Sequence, residues 1–193
     1  MANIAVFASG NGSNFEALAK EFLNDKENHI CLLICNKKNA FVLQRAEKFN
    51  IKTQLISYHS SSKEDVENNI LEYLKEYNID IVFLAGFMKI LGASFIEKSS
   101  IPIVNIHPSL LPEHKGCDAI KKAYEAADVK TGITIHYVNE EVDGGEIILQ
   151  KSIPIDRSLP LEELEKKIHE LEHEYYPVVA RNLCSGINSR KLF

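Results

Sequence analysis

Continuously apolar runs alternate with segments of helical spacing along the first hundred residues. The apolar runs are Asn3–Ala8, Ile30–Cys35, the weaker Thr53–Ile56, Ile79–Ala85 and Pro102–Ile106. Because these runs do not alternate with polar residues, they predict strands that are buried on both faces. Strands separated by helices are joined by right-handed crossovers, so the pattern predicts an open, mostly parallel α/β sheet with helices on both faces.

Three helices are predicted between these strands. Asn14–Leu23 and Ala40–Phe49 each place apolar residues on one face. A longer helix follows Ser61–Ser62, which supplies an N-cap, and Glu64–Asp65, which places acids in the first turn. The N-terminal half is therefore predicted to be Rossmann-like in a general sense.

The pattern changes after residue 100. Gly132–Val138 and Glu146–Ile155 are strand-like runs with no helix between them, which predicts a hairpin-like pair and an antiparallel strand near the C-terminus. A last helix is predicted from Pro160 to about Leu183, and the polar segment Ser185–Phe193 is expected to be a loosely held tail. We interpret residues 1–193 as a single domain, with halves at 1–100 and 101–184 and the tail at 185–193.

Composition narrows the classes of partner. The chain has 193 residues, is 45% hydrophobic and carries a net charge of -5, which argues against general binding to a nucleic acid backbone. The start, MANIAVFASG, has no basic region ahead of its apolar stretch, so we expect no secretory or transmembrane segment and no membrane partner. A cytoplasmic location is predicted, and the choice between monomer and homodimer stays open.

The cysteines do not indicate a metal site or a disulfide. Cys31, Cys35, Cys117 and Cys184 show no zinc-binding spacing. Cys31 and Cys35 would lie ~13 Å apart within one strand, which is too far for a bridge. We interpret the cysteines as small apolar residues and predict no metal.

A glycine-rich turn, Ser9-Gly-Asn-Gly-Ser-Asn14, separates the first strand from the first helix. Glycines at that place let the backbone approach a phosphate, and the helix N-terminus presents free N–H groups. The turn is neither GxGxxG nor a Walker A loop, so a single phosphate fits better than a dinucleotide or ATP. A plain strand-to-helix turn capped by Ser13 or Asn14 is the alternative interpretation.

A polar pair, Asn105 and His107, stands where the fifth strand ends. Residues two apart in a strand share a face, and this end of an open α/β sheet is where ligands bind. An amide donor beside an imidazole suits a developing oxyanion, and Asp143 in a glycine-flanked loop is the best carboxylate to orient the imidazole. Ser109 lacks a nucleophile-elbow context, so the nucleophile is expected to come from the substrate. A purely structural role for His107 remains the alternative.

Other histidines receive structural interpretations. His136 alternates with Ile135 and Tyr137, so we expect a packed or hydrogen-bonded sheet residue with a possible supporting role. His169 and His173 are four apart on the last helix, and we interpret them as part of a solvated face rather than as metal ligands.

Four segments together resemble the phosphoribosylglycinamide formyltransferase family, folate-dependent enzymes of purine synthesis. They are Ser9–Asn14, Ala85-Gly-Phe-Met-Lys-Ile-Leu91, Asn105-Ile-His-Pro-Ser-Leu-Leu-Pro112 and Val142-Asp-Gly-Gly145. The Asn105–Pro112 motif is shared with other 10-formyltetrahydrofolate enzymes, and the Ser9–Asn14 turn narrows the resemblance. The similarity extends to Glu172 in the last helix.

The resemblance implies that a glycinamide ribonucleotide amine attacks the formyl carbon of 10-formyltetrahydrofolate, without a metal. Asn105 and His107 would stabilise the oxyanion, and Asp143 would set the state of His107. Glu172 would contact the ribonucleotide, and the second half of the chain would bind folate and carry the catalytic residues. The phosphate ligands implied are Gly12, Ser13 and Asn14. The folate pocket implied consists of Met88, Lys89, Ile90, Leu91, Val138, Asn139, Glu140, Glu141 and Val142.

Two departures from the family pattern and three rival functions stay open. Lys89 stands where family members commonly have Arg, and a Lys lacks the planar fork needed for a bidentate contact. Lys115-Gly-Cys117 replaces a common Pro-Gly. The rivals are a methionyl-tRNA formyltransferase, which we expect to need a further domain and a basic surface, a formyltetrahydrofolate hydrolase, and a non-catalytic nucleotide-binding module.

Overall fold

The computed structural model describes residues 1–59 and 61–190. Strands and helices alternate through the first half of the chain, with one more helix than the three predicted there. In order they are β1 (Ala2–Ala8), α1 (Ser13–Phe22), β2 (Asn28–Cys35), α2 (Val42–Lys48), β3 (Lys52–Leu55), α3 (Lys63–Glu76), β4 (Ile81–Leu84), α4 (Ala93–Ser99), β5 (Ile103–His107), α5 (Ala119–Glu125), β6 (Lys130–Tyr137), β7 (Ile147–Pro154) and α6 (Leu161–Arg190).

The strands form one sheet in the order β3-β2-β1-β4-β5-β6-β7. Strands β1 to β5 pair in parallel, whereas β6 is antiparallel to both β5 and β7. The predicted fold class, including the antiparallel strand and the hairpin-like pair, is confirmed. The order reverses between β1 and β4, and open α/β sheets bind ligands outside the carboxyl ends of strands at such a reversal.

Two apolar clusters cover the two faces of the sheet. One contains Phe15, Val42 and Ile168 from α1, α2 and α6, and the other contains Ile70 and Phe95 from α3 and α4. Each central strand contributes to both clusters because successive side chains point to opposite faces. The continuously apolar runs of the sequence therefore correspond to strands covered on both sides.

The predicted start of α3 is confirmed in detail. Ser62 is the N-cap residue, and its Oγ accepts a hydrogen bond of 3.1 Å from the backbone N–H of Asp65. This bond satisfies one of the N–H groups that a helix leaves without an intrahelical partner.

Helix α6 is longer than predicted. It continues through Arg190, so a loosely held tail is wrong for residues 185–190, and residues 191–193 lie outside the described part of the chain. Cys184 and Ile187 continue the core-facing stripe, and the Asn188 amide donates to the Asn28 side chain over 2.9 Å. These apolar and polar contacts hold the last turns against the body. Within residues 1–59 and 61–190, no helix is long and apolar enough to cross a membrane.

Candidate active site

The turns that follow β1 and β4 lie side by side at the point where the strand order reverses. The Ser9 N–H donates to the Gly86 carbonyl over 3.1 Å, and the Ser9 hydroxyl accepts from the Met88 N–H over 2.8 Å. Ser9 is buried, so both bonds are protected from water. The glycine-rich turn and the segment Ala85–Leu91 are thereby fixed against each other.

The glycine-rich turn delivers the chain directly into α1. Gly12 adopts a left-handed conformation with φ +79°, and α1 begins at Ser13. A Cβ at Gly12 would lie 2.4 Å from the Val42 side chain at the start of α2. The turn therefore requires glycine for both conformation and space, and it leaves the first N–H groups of α1 without a side-chain cap.

Glu172 reaches the same turn from α6. Its Oε2 accepts from the Asn14 amide over 3.0 Å and lies 2.8 Å from Nδ1 of His169. Glu172 is 4% exposed, and its hydrogen bond raises the pKa of the His169 imidazole. One helical turn later, the fully buried Tyr176 hydroxyl lies 2.9 Å from the Leu84 carbonyl at the end of β4. This contact fixes the face of α6 that carries Glu172.

Asn105, His107 and Asp143 meet at the carboxyl end of β5. The Asn105 amide lies 3.4 Å from Oδ1 of Asp143, and Nδ1 of His107 lies 3.4 Å from Oδ2 of the same carboxylate. As predicted, the pair on β5 shares one face, and β5 ends at His107. We refer to these three residues, for which the sequence predicts a catalytic role, as the catalytic cluster.

Asp143 has an unusual backbone conformation and a lowered side-chain pKa. Its φ is +50°, a left-handed value that aspartate tolerates better than most residues do. Burial would raise the pKa of its carboxyl, but hydrogen bonds from His136 and the Gly116 N–H, with the charges of His107 and His136, lower this pKa to about 2. Asp143 is therefore a carboxylate at neutral pH.

The other ring nitrogen of His107 faces a backbone carbonyl. Nε2 of His107 lies 2.9 Å from the carbonyl oxygen of His114, and a carbonyl can only accept. Nε2 therefore carries a proton. Nδ1, on the other side of the ring, is the nitrogen that faces the Asp143 carboxylate.

His136 belongs to this arrangement, which its strand pattern alone did not show. It pairs with Asn105 across β5 and β6, and its Nε2 lies 3.3 Å from the Asn105 amide and 3.6 Å from Oδ1 of Asp143. A register irregularity between Ile135 and His136 accompanies this position. Irregular pairing next to an active site commonly re-aims a side chain. From the sequence, His136 was expected mainly to be a packed or hydrogen-bonded sheet residue, and a role in supporting the site was the less favoured alternative.

All of the predicted site residues line one cavity of about 650 Å³, which we call the main cavity. The glycine-rich turn, Glu172 and the catalytic cluster line it together with exposed apolar residues, and we call the side with these exposed residues the mouth. At the mouth, Met88 and Ile90 are 64% and 65% exposed. Exposed apolar side chains beside a cleft suit a flat, largely apolar ligand.

Charged groups cross the mouth of the main cavity. The Lys115 ammonium lies 2.6 Å from Oε1 of Glu141, which joins the loop after β5 to the loop after β6. The Lys89 ammonium lies 5.0 Å from the centre of the Tyr58 ring, a cation–π contact. Neither lysine forms a planar bidentate pair here.

The sequence interpretation did not include several cavity-lining residues. Ser9 and His169 line the main cavity, although His169 and the neighbouring His173 are exposed as expected for a solvated face. Cys117 is an exposed free thiol on the cavity wall, which departs from its interpretation as a small apolar residue. Across residues 1–59 and 61–190, no three His, Cys, Asp or Glu side chains are grouped so that they could hold a metal ion.

Comparisons with known proteins assign the class of enzyme. The sequence matches the family model described as formyl transferase over residues 2–180. It is 42% identical over 192 residues to a phosphoribosylglycinamide formyltransferase of Bacillus subtilis (strain 168), covering 98% of each chain. It is also 39% identical over 188 residues to the Homo sapiens trifunctional purine biosynthetic protein adenosine-3, covering 96% of this chain and 18% of that protein.

A solved structure agrees with both relatives. Glycinamide ribonucleotide transformylase 1 from Geobacillus kaustophilus matches with a TM-score of 0.89 at 41% identity, covering 95% of this chain and 99% of that one. The fold and the cavity are those of an α/β transferase. The chain belongs to the formyl transferase family. The predictions of a formyltransferase and of a place in purine biosynthesis are confirmed.

Proposed function

We propose that this enzyme transfers the formyl group of 10-formyltetrahydrofolate to the amine of glycinamide ribonucleotide. The products are N-formylglycinamide ribonucleotide and tetrahydrofolate. The observation that carries the proposal is that the catalytic cluster, the uncapped N-terminus of α1 and the exposed apolar residues Met88 and Ile90 all line one cavity.

The helix end of the cavity suits the ribonucleotide. Gly12, Ser13 and Asn14 place uncapped N–H groups and the positive end of α1 where a phosphate monoester can bind. Glu172 lies beside Asn14 and offers an anionic acceptor for the hydroxyl or amine groups of the same substrate. A bound ribonucleotide would then direct its amine toward Asn105 and His107.

The mouth of the cavity suits the folate. The segment with Met88, Lys89, Ile90 and Leu91 forms one wall. The opposite wall is the loop that contains Val138, Asn139, Glu140, Glu141 and Val142. A ring system held between these walls would present its formyl group to the catalytic cluster. The backbone and carboxylate groups of the second wall offer acceptors for ring N–H groups.

The amine of the ribonucleotide is the nucleophile. Ser109 is fully buried, and its hydroxyl donates to the Glu113 carbonyl over 2.6 Å, so it is engaged away from the cavity. As the amine attacks the formyl carbon, the carbonyl π electrons move to the formyl oxygen. The Asn105 amide and His107 line the cavity where that oxyanion would form, and they would stabilise it electrostatically.

Proton transfer then completes the reaction. The attacking nitrogen must lose a proton, and the folate nitrogen must gain one before its bond to the formyl carbon breaks. His107 donates a proton to the folate nitrogen, and the Asp143 carboxylate accepts the amine proton through water and returns it to His107. Asp143 can act in this way because it is ionised at neutral pH.

Formation of formylated ribonucleotide by the purified protein tests the proposal. With both substrates present, the wild type should form product, and His107→Ala should lower kcat by roughly 10²-fold or more. His29→Ala is a matched control, because His29 lies at the amino end of β2, away from the carboxyl edge of the sheet. Formate release without the ribonucleotide, at a rate equal to transfer, would instead support the hydrolase. A wild type without product would refute the proposal.

A further inference from the structure

The carbonyl that faces His107 belongs to a residue with a strained backbone. His114 has a φ of +53°, in the left-handed region. For a residue with a Cβ this conformation is unfavourable, so surrounding contacts must hold it. The conformation matters because it directs the His114 carbonyl to a point 2.9 Å from Nε2 of His107.

The side chain of His114 supplies such a contact. Its Nε2 lies 2.6 Å from Oδ2 of Asp128, and the two side chains are 17% and 33% exposed. Asp128 is itself fixed between α5 and β6, because its N–H donates to the Ala123 carbonyl over 3.4 Å and its own carbonyl accepts from Arg157 over 2.7 Å. A short, partly buried bond to a fixed carboxylate is among the stronger hydrogen bonds of proteins.

We propose that His114 is a positioning residue for catalysis, and that the Asp128–His114 contact aims the His114 carbonyl at His107. The inference rests on the proposed role of His107. The carbonyl keeps a proton on Nε2, so the nitrogen whose protonation changes during the reaction is Nδ1, beside Asp143 and Asn105. The contact thereby fixes both the ring orientation and the tautomer of His107.

The rest of the loop has its own supports. The Leu111 N–H donates to the Thr134 hydroxyl over 3.0 Å, and that hydroxyl donates to the Ser109 carbonyl over 2.7 Å. The Ser109 hydroxyl in turn donates to the Glu113 carbonyl. Removal of the His114 side chain should therefore release one carbonyl while residues 109–113 stay in place.

Kinetics of His114→Ala, Asp128→Ala and the double variant test the proposal. Each single variant should lower kcat by about tenfold, since small misplacements of reacting groups are costly. KM for both substrates should stay within about twofold, and the double variant should be no slower than the slower single variant. Asp128→Asn should recover most of kcat, because its side-chain oxygen can still accept from His114.

A spectroscopic measurement separates positioning from a general loss of structure. In protein labelled with 15N-histidine, the His107 resonances can be assigned by their loss in His107→Ala. Wild type should show Nε2 protonated throughout a titration of the ring, and His114→Ala should show a mixture of the two neutral tautomers. Lys121→Ala is the control, because it removes an exposed ion pair of α5 with Glu125 and should change neither kcat nor tautomer.

Two results would overturn the proposal. One is a kcat within twofold of wild type in both His114→Ala and Asp128→Ala. The other is a lower kcat in these variants with the His107 tautomer unchanged. Since wild-type transfer activity is measured in the same assay, its absence would refute the proposed function, whereas an active wild type with unaffected variants refutes the positioning role alone.

Discussion

Asn105 and His136 are register partners on the antiparallel β5–β6 pair, with the amide nitrogen 3.3 Å from Nε2 of the imidazole. Nδ1 of His136 lies 2.8 Å from the Tyr137 carbonyl and therefore carries a proton. A neutral His136 accepts from the Asn105 amide, and a protonated one donates to Asp143. Nε2 therefore contacts the amide as an acceptor in the first state and the carboxylate as a donor in the second.

Replacement of His136 by Phe should lower kcat by about tenfold, because the Asn105 amide would lose the contact that orients it toward the oxyanion. KM should change less, because His136 is 1% exposed and offers little surface for a substrate to contact. Steady-state kinetics against both substrates measure this split. His136→Gln keeps a polar group at this position and should be the more active variant. Equal activity of the two variants would contradict the supporting role.

Asp143→Asn should lower kcat by on the order of 10²-fold or more, because the isosteric amide cannot accept the amine proton or stabilise an imidazolium. Asparagine also tolerates the left-handed φ of +50°, so the backbone should keep its conformation. Single-turnover measurements would separate the chemical step from product release. Glu146→Gln offers a control at the end of the same loop, because Glu146 is exposed and does not line the main cavity, and its kcat should stay near that of wild type. An Asp143→Asn enzyme with full kcat would remove Asp143 from the proposed proton path.

The stability of the fold should depend on the Asp143 charge at acidic pH. Its pKa is about 2 in the folded protein and 3.8 for an ordinary aspartate, so the folded state binds this proton less readily than the unfolded state. The carboxylate therefore contributes stability above pH ~4, and that contribution of about 2 kcal/mol is lost as pH falls toward ~2. Urea unfolding of wild type and Asp143→Asn across this window measures it. A difference between the two proteins that stays constant down to pH 2 would contradict the assigned pKa.

The parallel half of the fold was predictable because its strands are apolar on both faces and its long helices show clear spacing. Helices α4 and α5 were not predicted. Each has only seven residues and lacks acids in the first turn, and neither N-cap residue, Gly92 or Asp118, forms a side-chain cap hydrogen bond, so both helices are weakly marked in the sequence. The last turns of α6 were missed because polar residues outnumber the two, Cys184 and Ile187, that hold them to the core.

The placement of the candidate site residues in the fold was predictable where it depends on local sequence. The spacing of Asn105 and His107 places them on one face of a strand, and the glycine pattern locates the turn before α1. His136 could not be placed, because its partner depends on the register between β5 and β6, which no local pattern specifies. The contact of His107 with the His114 carbonyl depends on a loop conformation that side-chain identity does not determine.

Gly12→Ala should damage both the fold and substrate binding. The new alanine would keep an unfavourable backbone φ of +79°. Its Cβ would lie 2.4 Å from the Val42 side chain and 3.0 Å from the Val42 Cα. We expect a loss of on the order of 2 kcal/mol in the free energy of unfolding, because α2 must move away from the glycine-rich turn. We also expect KM for the ribonucleotide to rise more, relative to wild type, than KM for the folate. Gly10→Ala is the matched control in the same turn, because nothing lies within 4 Å of a Cβ there. Urea unfolding with the two KM values measures both effects, and a parallel rise of KM for the two substrates would argue against phosphate binding at this turn.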